Sequence, residues 1–140
     1  MPLKPQTGAS VLVYKDGKVL LIQRGKEPYK GHWSLPGGSQ ETGETIEEAA
    51  SRELEEETTL KAEALDFVRL RDRISKDEQG SVTFHYVLAT FFTQSFSGTA
   101  KAMDDADDIG WFTIEEMENL TTTPQTPQFV QEILNEKLKP

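Results

Sequence analysis

The residues with the strongest chemical character are an arginine and four glutamates within six positions, 52–57 (Arg-Glu-Leu-Glu-Glu-Glu). An α-helix turns about 100° per residue, so Glu53 and Glu57 would fall on its core-facing stripe and Glu56 at the edge of that stripe. Glu55 takes the opposite, solvent side. A solvated acidic face is the usual interpretation of a Glu-rich helix, but it leaves the core-facing carboxylates unexplained. The apolar members of the stripe are Ile46, Ala49, Ala50 and Leu54.

Carboxylates on a core-facing stripe need compensating positive charge. A buried carboxylate without a partner is costly, and several together repel one another and raise their pKa values. Arg52 lies next to Glu53 and four residues before Glu56, so it can pair with one of them. The remaining charge predicts a divalent cation, and all-oxygen ligands favour Mg²⁺ or Mn²⁺. Zinc is less favoured because neither histidine is near these residues.

These glutamates are part of a longer spaced pattern. Gly38 is followed after five residues by Glu44, and after seven more by Arg-Glu-Leu-x-Glu-Glu at 52–57. This arrangement resembles the Nudix box (Gly, five residues, Glu, seven residues, Arg-Glu, an aliphatic residue, any residue, Glu-Glu, any residue, Gly, an aliphatic residue). Every fixed position matches except Thr59, which stands where the family has Gly. So many spaced matches are far more specific than a lone glycine motif, and residues 31–38 (Gly-His-Trp-Ser-Leu-Pro-Gly-Gly) are also similar to small members of the family.

The resemblance implies an enzyme that hydrolyses a nucleoside diphosphate linked to another group. Water attacks phosphorus and one phosphate–oxygen bond of the pyrophosphate breaks, which requires metal to neutralise the phosphates and a base to deprotonate the water. Arg52 would orient glutamates through bidentate hydrogen bonds, and Glu44 would act through the loop or a metal-bound water. One of the box glutamates would double as the base. By this resemblance the metal ligands are Glu53, Glu56, Glu57 and the Gly37 carbonyl, the catalytic residues are Glu53, Arg52 and Glu44, the substrate-binding residues are Arg24 and Gly38, and the cofactor is Mg²⁺ or Mn²⁺.

Two positions leave alternatives open. Arg24 ends a predicted strand, where the family often places an arginine on the substrate phosphates, but a surface arginine fits equally well. The run Asp104-Asp105-Ala106-Asp107-Asp108 is either a solvated turn or the source of one further metal ligand. Our choice within the run is Asp105, with Asp108 next. Acids leading into Trp111-Phe112 are similar to the ADP-ribose-type members of the family.

Thr59 carries an expectation for the end of the glutamate helix. The family glycine stands where a left-handed residue commonly terminates a helix. Threonine is β-branched, and left-handed backbone angles cost it roughly 1–2 kcal/mol. We therefore expect Thr59 to keep a negative φ and the helix to end differently.

The substrate is set by loops outside the box. ADP-ribose or a related nucleotide sugar is our first choice, and an ordinary or oxidised (deoxy)nucleoside triphosphate is the alternative. A non-catalytic nucleotide-binding Nudix domain is a third option, but a binding-only domain would have no need of the complete set of charged residues at 52–57. Homodimers are frequent in the family, so a homodimer is an option for this chain.

The elements that must position these residues form an α+β fold. Two short apolar runs flank Asp16-Gly17, which predicts a β-hairpin, and a long glycine-rich loop (24–43) precedes the helix. Thr45 and Thr113 each begin a capping box, and Thr126-Pro127 predicts a last helix with Thr126 as N-cap. We expect a mixed β-sheet between helices, as in the Nudix α/β/α sandwich. The predicted strands are 11–14, 19–22, 64–70, 82–92 (central, apolar on both faces) and 108–112, and the predicted helices are 45–58, 113–120 and one from Thr126.

Composition supports one globular domain over residues 1–140, and it limits the possible functions. With 15 basic and 24 acidic residues, the formal net charge is −9, so binding to a nucleic-acid polymer is disfavoured. There is no cysteine, which excludes disulfides, Cys-ligated zinc and thiol catalysis. No apolar run approaches the roughly 20 residues of a membrane-spanning helix, and the first residues lack the apolar stretch of a signal peptide. We therefore expect a cytoplasmic protein that acts on a small molecule.

Overall fold

The computed structural model describes residues 4–139, with nine strands and three helices in that range. No helix within it is long and apolar enough to cross a membrane. The strands are β1 (Gln6–Lys15), β2 (Lys18–Arg24), β3 (Trp33–Ser34), β4 (Gly37–Ser39), β5 (Lys61–Ala62), β6 (Asp66–Lys76), β7 (Val82–Thr93), β8 (Phe96–Ser97) and β9 (Ala106–Phe112), and the helices are α1 (Ile46–Thr58), α2 (Ile114–Glu118) and α3 (Thr126–Lys137).

The main sheet is mixed, as predicted, and its strand order is β3-β2-β1-β7-β6. Strands β1 and β7 are parallel, and the other pairs are antiparallel. Strand β1 changes partner along its length: Gly8–Ser10 pair with β4, whereas Tyr14 and Lys15 pair with β2. Strands β2 and β4 therefore take opposite ends of one edge of β1, and Ala9 and Ser10, in the part paired with β4, line a cleft.

Helices cover both faces of the sheet. In β1, Ala9, Val11 and Val13 contribute to the core beneath α1, while the alternate Leu12 contributes to the core beneath α3. This two-sided burial explains why β1 is apolar almost throughout. Strand β7 lies between β1 and β6, so the prediction of a central strand is confirmed. The α/β/α sandwich is likewise confirmed.

Short sequence motifs correctly predicted the hairpin turn and the beginnings of two helices. Asp16 and Gly17 both have positive φ, as the predicted hairpin turn requires. The capping boxes at Thr45 and Thr113 are both formed. The predicted N-cap role of Thr126 is wrong. That residue begins α3, its hydroxyl is 2.6 Å from the buried Thr123 hydroxyl, and the preceding Gln125 takes the N-cap position with φ 63°.

The predicted negative φ of Thr59 is also wrong, because the residue is left-handed with φ 65°. Its N–H donates to Glu55 O at 2.9 Å, and its hydroxyl donates to the carbonyl of Thr99. The segment before the acidic run crosses this end of the helix, where the N–H groups of Lys101 and Met103 donate to the last helical carbonyls. These long-range hydrogen bonds offset the local strain of a β-branched residue in the left-handed region.

Candidate active site

Two glycines allow the edge strand β4 to approach α1. The Gly37 N–H donates to Glu57 Oε1 at 2.8 Å. A Cβ added at Gly38 would lie 2.5 Å from the Glu53 carboxylate, closer than a real Cβ contact allows. A residue with a side chain at this position would force the Glu53 carboxylate to move, so glycine lets the backbone lie against it without displacing it.

Arg52 connects the loop to the helix, and it contacts more carboxylates than the one that helix spacing alone predicted. Its Nε and Nη2 donate to the two carboxylate oxygens of Glu44, both at 2.8 Å, which is a bidentate pair. Its Nη1 donates to Glu53 at 2.9 Å and to Glu56 at 3.1 Å. Its Nη2 also donates to the Ser39 carbonyl at 2.9 Å. The hydrogen bonds from Arg52 lower the pKa of Glu44 to about 2, so Glu44 is a fixed anion that anchors the loop.

The glutamates of α1 differ in exposure as the helical periodicity predicts. Glu57 is only 6% exposed, whereas Glu55 and Glu56 are exposed. Burial raises the pKa of Glu57 to about 8, partly opposed by the Gly37 N–H, and burial also raises the pKa of Glu53. Burial thus disfavours ionisation of both neighbouring carboxylates, and additional positive charge would favour it.

The donor set fits a hard divalent cation, which would supply that charge. Glu53 and Glu57 line one cleft, and all of their donor atoms are carboxylate oxygens. Within residues 4–139, however, no three acidic or histidine side chains converge as a ready-made cation site. Arg52 holds Glu53 through one carboxylate oxygen and also contacts Glu56. The other Glu53 oxygen accepts no hydrogen bond from Arg52, so Glu53 can keep this contact and still coordinate a cation.

The cleft has a volume of about 280 Å³, and both acidic and basic side chains line it. Asp105 is one of the acidic residues, and it pairs with Lys26 at 2.8 Å. Arg24 also lines the cleft, and its Nε donates to the Pro28 carbonyl at 2.6 Å. Asp108, our second choice in the acidic run, lies in β9 outside the cleft lining and accepts the Ile109 N–H at 2.8 Å.

The comparison with known proteins decides the family. Residues 4–133 match the family model of the NUDIX domain. The chain belongs to the Nudix family. An ADP-ribose pyrophosphatase of Methanocaldococcus jannaschii is 35% identical over 118 residues, which are 84% of this chain and 68% of that protein.

Further similarities support the membership. An 8-oxo-dGDP phosphatase of Mus musculus is 34% identical over 107 residues, which are 74% of this chain but only 30% of that protein. The crystal structure of a MutT Nudix hydrolase from Burkholderia pseudomallei superposes with a TM-score of 0.82 at 28% identity, covering 93% of this chain and 98% of that one. The chain is thus a Nudix hydrolase, and hydrolases of this family generally use divalent metals.

Sequence reasoning missed the other wall of the Nudix cleft. Arg71 and Arg73 of β6 line it, together with Phe84 and Tyr86 of β7. We predicted that the first of these strands ends at residue 70, whereas it continues to Lys76. The signal was the alternation of arginine at 69, 71 and 73, which the two-residue period of a strand places on one face.

Proposed function

We propose that this Nudix hydrolase carries out metal-dependent hydrolysis of the pyrophosphate bond in a nucleoside diphosphate linked to another group. The observation that carries the proposal is the buried Glu57 carboxylate, which lies beside Glu53 in a cleft whose other wall is basic. Such an arrangement suits a cation on one side and phosphate groups on the other. Mg²⁺ is the proposed ion, with Mn²⁺ as a substitute.

Each box residue has a proposed task. The chemistry that the ion supplies is neutralisation of phosphate charge and activation of water. Arg52 sets the orientation of the glutamates, and Glu44 fixes Arg52 through its bidentate pair. Gly38, which has no side chain to displace the Glu53 carboxylate, contributes backbone to substrate binding, and Arg24 binds phosphate oxygens at the end of β2. The proposed metal ligands are Glu53, Glu56, Glu57, the Gly37 carbonyl and Asp105.

ADP-ribose or a related nucleotide sugar is the proposed substrate. The support comes from the relative named ADP-ribose pyrophosphatase, of which this chain covers 68%. The second candidate is a (deoxy)nucleoside triphosphate or an oxidised nucleotide, and the relative named 8-oxo-dGDP phosphatase favours it, although the chain covers only 30% of that protein. A purely binding role is less well supported, because Arg52 and its partners Glu44, Glu53 and Glu56 are all in place.

The test is a hydrolysis panel of ADP-ribose, other nucleotide sugars, dinucleotides and nucleoside triphosphates with Mg²⁺, in which the phosphate products are identified. ADP-ribose should yield AMP and ribose 5-phosphate, and EDTA should abolish turnover. Glu53→Gln keeps the side-chain shape and should lower kcat by orders of magnitude without loss of folding. Glu55→Gln, on the exposed side of the same helix, is the matched control. Undiminished hydrolysis in metal-free protein, or equal effects of the two substitutions, would refute the proposal.

A further inference from the structure

Two arginines, two positions apart on the same face of one strand, form the basic wall of the cleft. Arg71 and Arg73 of β6 lie opposite Leu88 and Tyr86 of β7 in the antiparallel register. Both guanidinium-bearing side chains are half-buried and line the same cavity as the α1 carboxylates. The two positive charges therefore lie inside the cleft rather than on the outer surface.

Neither arginine has a carboxylate partner among residues 4–139, since no carboxylate there lies within 4.0 Å of either guanidinium group. The Nε of Arg71 is buried and has no acceptor in the same range. The Phe129 ring lies 3.9 Å from the Arg71 guanidinium carbon. Because the five N–H donors point outward in the guanidinium plane, this stacking fixes the plane and leaves the donors free.

The surroundings add to the cost of these charges. Burial lowers the pKa of Arg71 to about 10, and burial together with the charge of Arg24 lowers the pKa of Arg73. A half-buried cation without a partner is unfavourable, and a buried donor without an acceptor loses its hydration without replacement. An anion that enters the cleft would relieve both penalties.

We propose that Arg71 and Arg73 bind the phosphate oxygens of the substrate from the wall opposite Glu53 and Glu57. The inference rests on the proposed function, because it takes the pyrophosphate group of a nucleoside diphosphate derivative as the anion. The planar fork of arginine matches phosphate geometry, and two forks side by side match two linked phosphates. These arginines are binding residues: they hold the ground state as well as the transition state, so they act on KM more than on kcat.

The chain contains a matched control on the same strand. Arg69 is two positions before Arg71, but it pairs with Glu132 at 3.1 Å and with Glu136 at 2.9 Å on α3. It lies outside the cleft lining. Arg69→Met removes an arginine from the same strand without touching the proposed anion site, whereas Arg73→Met removes one from the cleft.

The experiment measures two quantities for wild type, Arg73→Met and Arg69→Met. The first is the Kd of inorganic pyrophosphate for the metal-free protein, by calorimetric titration at low ionic strength. The second is KM and kcat for ADP-ribose with Mg²⁺. Loss of a charged hydrogen bond predicts that Arg73→Met raises Kd and KM by about 10- to 100-fold, with kcat within about 3-fold, and that Arg69→Met resembles wild type. Arg71→Lys keeps the charge but loses the fork, so it should fall between wild type and Arg73→Met.

The outcomes separate this inference from the proposed function. If wild type binds pyrophosphate, Arg73→Met does not, and ADP-ribose is not hydrolysed, the substrate proposal fails and the anion site stands. If ADP-ribose is hydrolysed but Arg73→Met and Arg69→Met have equal Kd and KM values, the anion site is wrong and the proposed function stands. Absence of pyrophosphate binding by the wild-type protein also overturns the anion site.

Discussion

Removal of the titrating carboxyl group of Glu57 should change how the stability of the metal-free protein depends on pH. In the folded protein burial raises the pKa of Glu57 to about 8, against an ordinary value of 4.5. Between these two pH values the folded protein keeps a proton that the unfolded chain releases. The free energy of unfolding therefore falls as pH rises through this window, and the contribution of the protonated group is fully present only below pH 4.5. Glu57→Gln removes the titration and keeps an oxygen for the Gly37 N–H.

The magnitude follows from the size of the window. A fully developed difference of one bound proton changes the free energy of unfolding by about 1.36 kcal/mol per pH unit. Between pH 5.5 and pH 7.5, both inside the window, wild type should lose about 2–3 kcal/mol relative to Glu57→Gln. The assay is urea denaturation in EDTA, followed by the fluorescence of Trp33 and Trp111. Taking the difference between the two proteins cancels every titration that they share.

Addition of a divalent metal ion should reverse the difference in stability between wild type and Glu57→Gln. A divalent cation favours the ionised carboxylate, so excess Mg²⁺ should flatten the wild-type profile and stabilise the wild type more than Glu57→Gln. Glu55→Gln, which removes an exposed charge from the same helix, should leave the profile unchanged. Parallel profiles of wild type and Glu57→Gln in EDTA would show that Glu57 is ionised without penalty, and the argument from burial would be refuted.

Further substitutions at three places test other parts of the site. Gly38→Ala places a methyl group against the Glu53 carboxylate. Because the carboxylate can rotate away, hydrolysis should fall at least about 10-fold while the thermal unfolding midpoint changes little. Normal activity would show that the close approach of Gly38 to Glu53 is dispensable. Asp105→Asn should lower the rate of hydrolysis, and extra Mg²⁺ should partly restore it, whereas Asp108→Asn should not lower the rate. Similar mild effects of the two substitutions in rate assays would mean that the acidic run 104–108 is a solvated turn. Thr59→Gly relieves the strain of the left-handed backbone but loses the hydrogen bond from the hydroxyl to Thr99. We therefore expect a net change in unfolding free energy under about 1 kcal/mol and unchanged activity. A large gain in activity would mean that threonine impairs the site.

The parts of the structure that the sequence predicted depend on contacts between near neighbours in the chain. The capping box at Thr45 joins residues three apart, and the different exposures of Glu55 and Glu57 follow from the period of one helix. Such features survive in almost any tertiary setting. The Asp16-Gly17 turn belongs to the same class, because its backbone angles are a property of the dipeptide.

The parts that could not be predicted depend on partners far away in the sequence. The left-handed Thr59 is held by Thr99, 40 residues later, so its local propensity was outweighed by a contact with no local signal. The arginines of β6 have the period of a strand, but that period cannot distinguish Arg69, which meets α3, from Arg73, which meets the cleft. Only the placement of α3 against one end of the strand decides which arginines are neutralised by glutamate and which remain available to an anion. The division of labour along this strand is therefore a property of the tertiary fold, and charge patterning alone would have assigned all three arginines to the same surface.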